Sequence, residues 1–269
     1  MTQRRLTGIA SAETTIDDYF AAFKKLPGWL RRADFLLFQK INELQKERRL
    51  TGDLLEIGVF RGRSAILLGY LASEDEQLVL CDLFRTDFKS QNLPASPRQV
   101  FENSYLQFHS DLPKIMQCPS EEIAAHFKPK SFRFIHVDGG HSYDVVRTDV
   151  LTSRRLLQEG GVVVFDDYLN RKFPGVAAAV WGAVAEGDLI PICLTEGKLY
   201  GSWSPELLAL TTKLESWAGE EALKTETISI KGRDVIKLSS SSKDARLRKL
   251  QRVVGKSRRV INRGVDLVR

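Results

Sequence analysis

Apolar residues gather in short runs along the middle of this chain, and polar segments with helical spacing lie between them. The runs at 53–58, 77–82, 132–138, 161–166, 189–194 and 199–203 read as strands. Helical spacing covers 62–72, 97–107, 120–126, 143–158 and 176–186. Strand and helix alternate, which predicts a doubly wound sheet, parallel over most of its width. The link Thr195-Glu196-Gly197 is too short for a crossover, so the last two strands should form an antiparallel hairpin. Before the first strand, 15–26 reads as a helix with Tyr19, Phe20 and Phe23 on one face, broken by Pro27-Gly28. A longer helix at 31–49 carries an imperfect stripe of Phe35, Phe38, Ile41, Asn42 and Leu44. Both are placed to cover the substrate side of the sheet. After the last strand, 205–217 reads as a helix. The segments 226–230 and 235–238 flank Lys231-Gly232-Arg233-Asp234 as a second hairpin, and 239–242 is a serine linker. The expected organisation is an N-terminal helical cap at 1–50, the α/β domain at 51–203, a helix-plus-hairpin extension at 204–242 and a tail at 243–269.

The first strand leads into the most informative segment. Residues 54–64 read L-L-E-I-G-V-F-R-G-R-S, in which Glu56 closes a strand and Gly58 and Gly62 permit a tight turn into a helix. Amides at that helix start carry partial positive charge. Asp82 ends the next strand, about 20 residues past Gly62, where a nucleoside-binding unit places its ribose acid. The spacing is E-x-G-x-x-x-G-x-S. It lacks the middle glycine of a dinucleotide turn, and its acid suits a ligand with a cationic amine and no phosphate. S-adenosylmethionine fits that description and NAD does not. The bland alternative is a strand–turn–helix whose glycines serve packing only.

Two later strands also end in acids. One reads F-I-H-V-D-G-G-H through Asp138 to His141; the other reads G-G-V-V-V-F-D-D through Asp166 and Asp167. Ligands of an open α/β sheet bind at the carboxyl ends of its strands. Asp138, Asp166 and Asp167 should therefore converge on one rim. Unpaired they would repel, and a hard divalent cation (Mg²⁺, Ca²⁺ or Mn²⁺) would resolve the conflict. The alternative places Asp138 in a turn, Asp166 at a helix cap and Asp167 in solvent. His141, three residues past Asp138, is the candidate general base. His136 lies within a strand and reads as structural.

Composition narrows the class. The net charge is +6, but residues 243–269 alone carry +8, leaving −2 for the rest. The basicity is thus a tail. Its Leu247, Leu250 and Val254 share one helical face, as in an amphipathic helix for an anionic membrane surface or a partner; the alternative is a solvated extension. Three scattered cysteines give neither a disulfide framework nor a zinc spacing, and point to a reducing cytoplasm. No apolar run is long enough for a membrane span, and Arg4 and Arg5 lead into no apolar core of a signal peptide. No aromatic-rich basic face and no N-P-P-Y motif argue for a nucleic acid partner.

Together these motifs resemble the class I S-adenosylmethionine-dependent methyltransferases. Within that class, D-G-G-H-S-Y followed by G-G-V-V-V-F-D-D-Y is most similar to the metal-dependent O-methyltransferases acting on sugar hydroxyls of macrolide and aminocoumarin antibiotics and bacterial glycans. The resemblance covers about 51–203. It implies a Rossmann-like, seven-stranded, mostly parallel sheet with an antiparallel terminal hairpin. It also implies cofactor contacts from Glu56, Gly58, Gly62, Ser64, Asp82, Ser120 and Asp138, with Ser120 at the adenine. Asp138, Asp166 and Asp167 would be the metal ligands, with Mg²⁺ as the implied ion, and His141 with Asp138 would carry the catalysis. The implied partner is a small-molecule acceptor, a sugar or glycoside ahead of a catechol or phenol. A non-catalytic S-adenosylmethionine-binding module is the remaining alternative, and the added helices and hairpin are consistent with a homo-oligomer.

Overall fold

The computed structural model describes residues 14–85 and 96–240. The basic tail and residues 86–95 lie outside them. Chain order is α1 (Ile16–Ala22), α2 (Arg32–Glu47), β1 (Asp53–Ile57), α3 (Arg63–Leu71), β2 (Leu78–Cys81) and α4 (Pro97–Tyr105). Then come β3 (Lys114–Met116), α5 (Ser120–His126), β4 (Phe132–Val137), α6 (Tyr143–Leu156), β5 (Leu157–Phe165) and α7 (Pro174–Ala185). The chain continues through β6 (Ile190–Leu194), β7 (Leu199–Ser202), α8 (Leu210–Glu220), β8 (Leu223–Ile230) and β9 (Arg233–Ser240).

The strands form one sheet in the order β3-β2-β1-β4-β5-β7-β6-β9-β8. Strands β1 to β5 pair in parallel, and β7 runs antiparallel to both β5 and β6, as the short link requires. The expectation of seven strands holds for β1 to β7. The late hairpin then extends the same sheet to nine, because β9 pairs in parallel with β6 through Cys193↔Ile236 and Leu194↔Lys237. Val235, Ile236 and Leu238 are buried there, which gives the edge of β6 an apolar cover. Strand β3 has no apolar run in the sequence; it is a three-residue edge.

Period-two alternation divides the sheet between two cores. Leu54, Phe134, Val164 and Tyr200 face α2, α3 and α8, while Leu55, Ile135, Val163 and Leu199 face α5, α6 and α7. Helix α2 buries Phe35, Leu37, Phe38, Ile41 and Leu44 in the first core. At the amino end of the strands, Arg133 of β4 is fully enclosed. It donates to both Glu76 oxygens (2.6 and 2.7 Å), to Gln45 Oε1 (2.7 Å) and to the Leu71 carbonyl (3.1 Å).

Candidate functional site

The same alternation builds the opposite end. Glu56 lies two residues past Leu54, and His136 two past Phe134, so both point to the α2 side; they are direct partners across β1 and β4. Asp166 lies two past Val164, and Lys198 two before Tyr200, its cross-strand partner. Because β7 is antiparallel, Asp166 and Lys198 arrive opposite one another just beyond the paired region. Four ionisable side chains thus gather at the carboxyl ends of β1, β4 and β5 and the amino end of the antiparallel β7. Backbone bonds carry the ladder past those ends: Asp138 N–H donates to the Ile57 carbonyl (2.7 Å) and Asp166 N–H to the Val137 carbonyl (2.9 Å).

These groups form one buried chain of polar contacts. Ser64 Oγ donates to Glu56 Oε1. His136 Nδ1 lies 2.8 Å from the same oxygen, and His136 Nε2 lies 2.8 Å from the Lys198 ammonium. Lys198 also donates to Asp166 Oδ2. A lysine donates only, so Nε2 accepts and Nδ1–H donates to Glu56. Burial, and then the Lys198 charge, holds the imidazole well below its usual range and neutral. Lys198 stays charged: burial lowers its pKa, but the neighbouring acids, Asp166 first, more than reverse this. Asp166 stays ionised: burial raises its pKa, but the Lys198 charge and the hydrogen bonds from Lys198 and Asp167 N–H, among its neighbours, together more than reverse this. Asp138 moves the other way, raised well above the carboxylate range by burial and by Asp166. Neighbouring acids driven apart in this way are a functional-site signature.

Glu56 keeps one atom free. Its Oε1 has two donors, while Oε2 is buried without a partner. Burial pushes its carboxyl up to about 8, against the pull of Ser64 and Lys198. The turn that follows depends on its glycines. Gly58 has φ +86°, and a Cβ there would lie 2.0 Å from the Asp138 carbonyl oxygen. Gly62 has φ +79°, and a Cβ would strike the Phe101 ring at 2.4 Å. Asp82 staples this turn: Oδ2 accepts from Val59 N–H (2.6 Å) and Phe60 N–H (2.8 Å), and Oδ1 from Phe84 N–H (2.6 Å). The largely exposed Trp29 stacks on Phe60 with centroids 5.1 Å apart.

At the outer rim, His141 Nε2 stands 3.3 Å from Asp167 Oδ2, and its ring stacks on Phe173 at 3.8 Å. The His141 contact, followed by one from Asn170, holds Asp167 below its ordinary pKa despite partial burial. The three acids expected as one set divide between two groups that share Asp138. One joins it to His136 and Asp166, the other to His141 and Asp167, with ligand atoms in each group within 4.8 Å of one another. Ser120 opens α5 close to Asp149, which is buried in α6 and pushed up to about 6 by that burial.

Residues 55–168 match the profile of a family described as a methyltransferase domain. The chain carries a methyltransferase domain. No curated protein matches the chain. Among solved structures it is similar to the O-methyltransferase NovP, at 19% identity and a TM-score of 0.50, over 63% of this chain and 79% of that one. It is also similar to an O-methyltransferase from Bacillus cereus in complex with SAH, at 14% and 0.49 over 72% and 92% of the two chains. A third is CalS11, a TDP-rhamnose 3'-O-methyltransferase, at 17% and 0.47 over 70% and 92%. At these identities the likeness is one of fold, a Rossmann-like architecture.

Two residues of this cluster gave no motif in the sequence. Lys198 sits in a hairpin turn, where a lysine is ordinarily solvated. Asp34 of α2 is buried and accepts from Thr195 Oγ1 (2.8 Å) and Tyr200 OH (2.9 Å), tying the N-terminal helix to that turn. The signal for Lys198 was available in the strand register. Asp166 ends β5 and Lys198 precedes β7 by one residue, so an antiparallel pairing must bring them together.

Proposed function

We propose that this chain is an O-methyltransferase that transfers the methyl group of S-adenosylmethionine to a hydroxyl of a small-molecule acceptor, a sugar or glycoside. The observation that carries the cofactor reading is Glu56 Oε2, a buried carboxyl oxygen without a partner at the head of the glycine turn. An acceptor with this burial is completed by a cationic amine, which S-adenosylmethionine has and NAD lacks there. Ser64 and His136 orient Glu56 by occupying its other oxygen. Asp82, already fixed on the turn, has lone pairs left for ribose hydroxyls. Bound there, S-adenosylmethionine supplies an activated methyl group on a sulfonium centre.

An alcohol is a poor nucleophile while protonated, so the chain must place the hydroxyl and take its proton. His141 is the base in this reading. Asp167, with Oδ2 3.3 Å from Nε2, orients the ring, which leaves Nδ1 to take the proton. In-line placement of the hydroxyl contributes roughly 7–11 kcal/mol. The choice of a sugar hydroxyl rests on the D-G-G-H-S-Y and F-D-D-Y resemblance.

A second reading uses a divalent cation such as Mg²⁺, supported by the grouping of Asp138, His141 and Asp167. Those three would hold it, and it would polarise the acceptor oxygen. The two readings compete for one imidazole.

Calorimetric titration of S-adenosylhomocysteine tests the cofactor, with NAD as control. Micromolar binding that NAD does not match is expected; preference for NAD would overturn the proposal. With an acceptor found by screening glycosides and phenols, His141→Ala should lower turnover by about 10²–10⁴ with cofactor binding intact.

A further inference from the structure

Lys198 is the least expected group at this site. Its side chain is 2% exposed and lies opposite Asp166, at the edge of the acids that sequence alone assigns to a metal. Both Asp166 oxygens are engaged. Oδ2 accepts from the Lys198 ammonium, and Oδ1 accepts from Asp167 N–H at 2.8 Å. A second cation stands close by. A Cβ on Gly197 would lie 1.8 Å from Arg31 Nη1 and 3.5 Å from Asp166 Oδ1, so the missing side chain at 197 is what lets the guanidinium approach. The arrangement is held from behind. Thr195 Oγ1 accepts from Lys198 N–H (2.9 Å) and donates to the buried Asp34. A long, flexible side chain is thereby confined to one position with its charge inside the protein.

Burying an ammonium is costly unless an anion neutralises it. The chain meets that cost with Asp166, and the pairing removes Asp166 as an anion for any other cation. A divalent ion brought beside it would meet the fixed positive charge of Lys198 in a medium of low dielectric.

We propose that Lys198 is the resident cation of this acid group, keeping Asp166 out of metal coordination, so that the rim binds a divalent ion only weakly, through Asp138 and Asp167. The inference rests on the site reading above and deepens it. The acids that resemble a metal seat are divided by a lysine into an inner ion pair and an outer pair of carboxylates. Lys198 is a positioning residue in this account. It fixes Asp166 and, through Nε2, the tautomer of His136, which in turn donates to Glu56.

The test is metal binding by the full chain, read by electron paramagnetic resonance of free Mn²⁺. In the presence of Lys198, Asp166→Asn should leave Mn²⁺ affinity within about threefold of wild type, less than one close charge contributes. Lys198→Met should bind Mn²⁺ at least about tenfold more tightly, and Asp166→Asn in that background should abolish the gain. Tenfold weaker binding on Asp166→Asn in the wild-type background would overturn the proposal, as would a folded Lys198→Met protein with no gain. A measurement on the unmutated chain covers the case in which Lys198→Met does not fold. In protein carrying ¹⁵N-lysine, a slowly exchanging Lys198 ammonium resonance should persist unchanged in millimolar Mg²⁺; its displacement by Mg²⁺ would overturn the proposal. S-adenosylhomocysteine titrated in parallel separates the two claims. Its binding is expected whatever the metal does, and its loss would count against the cofactor reading alone.

Discussion

Two buried charge clusters occupy opposite ends of the same strands, and they are built differently. At the amino end, Arg133 and Glu76 are matched throughout. Both Glu76 oxygens receive Arg133 donors and one backbone N–H each, from Gly52 and Ser73, and Gln45 both accepts from Arg133 and donates to its carbonyl. At the carboxyl end, the Glu56–His136–Lys198–Asp166 chain is also largely buried, yet Glu56 Oε2 and Asp34 Oδ2 are left without partners. An unmatched buried oxygen weakens the fold and has value only when something binds it. The first cluster is satisfied by its own partners; the second, in the proposed reading, leaves an oxygen for a ligand. That contrast separates structure from function here better than burial or charge count does, since both clusters are buried and both are charged.

The sharpest way to break the comparison is to empty the amino-end cluster. Arg133→Ala leaves Glu76 buried without its counter-charge, a change that costs about 3–5 kcal/mol. Chemical denaturation should show that loss, while the fraction still folded binds S-adenosylhomocysteine with unchanged affinity. A specific loss of binding with stability intact would make Arg133 part of the site and end the distinction.

Glu56→Gln attacks the other end and should reverse the pattern. Replacing the carboxyl proposed to receive the cofactor amine should weaken S-adenosylhomocysteine binding by about 1.5–3 kcal/mol. The fold should lose little, because Oε2 has no partner in it. The two glutamates also differ in pH behaviour. Burial pushes Glu76 up, but the Arg133 hydrogen bonds and the backbone amides outweigh it, and its pKa falls below the ordinary 4.5. It therefore contributes stability above pH 4.5 that is lost as pH falls. Glu56 is pushed up from 4.5 to about 8, so the fold keeps a proton that the unfolded chain has released. Its contribution is full below 4.5 and declines as pH rises toward 8. The difference in unfolding free energy between wild type and Glu56→Gln isolates this carboxyl from His136 and Lys198. A difference that is flat from pH 4.5 to 8 would remove Glu56 as a proton-holding group.

The sequence made the frame of this molecule legible and left its wiring hidden. The apolar runs located β1, β2, β4, β5, β6 and β7 because strands buried on both faces need such runs, and Glu56, Asp82, Asp138 and Asp166 stood at their ends. Strand β3 escaped because Lys114-Ile115-Met116 is too short and too exposed to carry a pattern. His136 looked structural because an imidazole inside a strand usually is; its partners Glu56 and Lys198 come from positions 80 and 62 residues away. Lys198 was hidden for the same reason. A residue's role at this site depends on which strand becomes its neighbour, and spacing along the chain carries that information only once the sheet order is known.

The smallest change sharpens the comparison most finely. Ser64→Ala removes one of the two donors to Glu56 Oε1 and leaves His136 in place. A hydrogen bond of this kind contributes about 0.5–1.5 kcal/mol net. Its loss should raise the Glu56 pKa further, since Ser64 is the leading group holding it down. Affinity for S-adenosylhomocysteine at neutral pH should fall by about 2–10-fold, and the loss should shrink as pH rises and ionises the carboxyl. A purely structural serine would lower stability and leave the pH dependence of binding unmoved. At the amino end no such tuning is expected: Gln45→Ala strips a neutral partner from Arg133, lowers stability and leaves the pH profile of cofactor binding as it was. If the Ser64 profile fails to move, the carboxyl-end cluster is held as rigidly as the other, and the free oxygen of Glu56 is a packing flaw with no part in ligand binding.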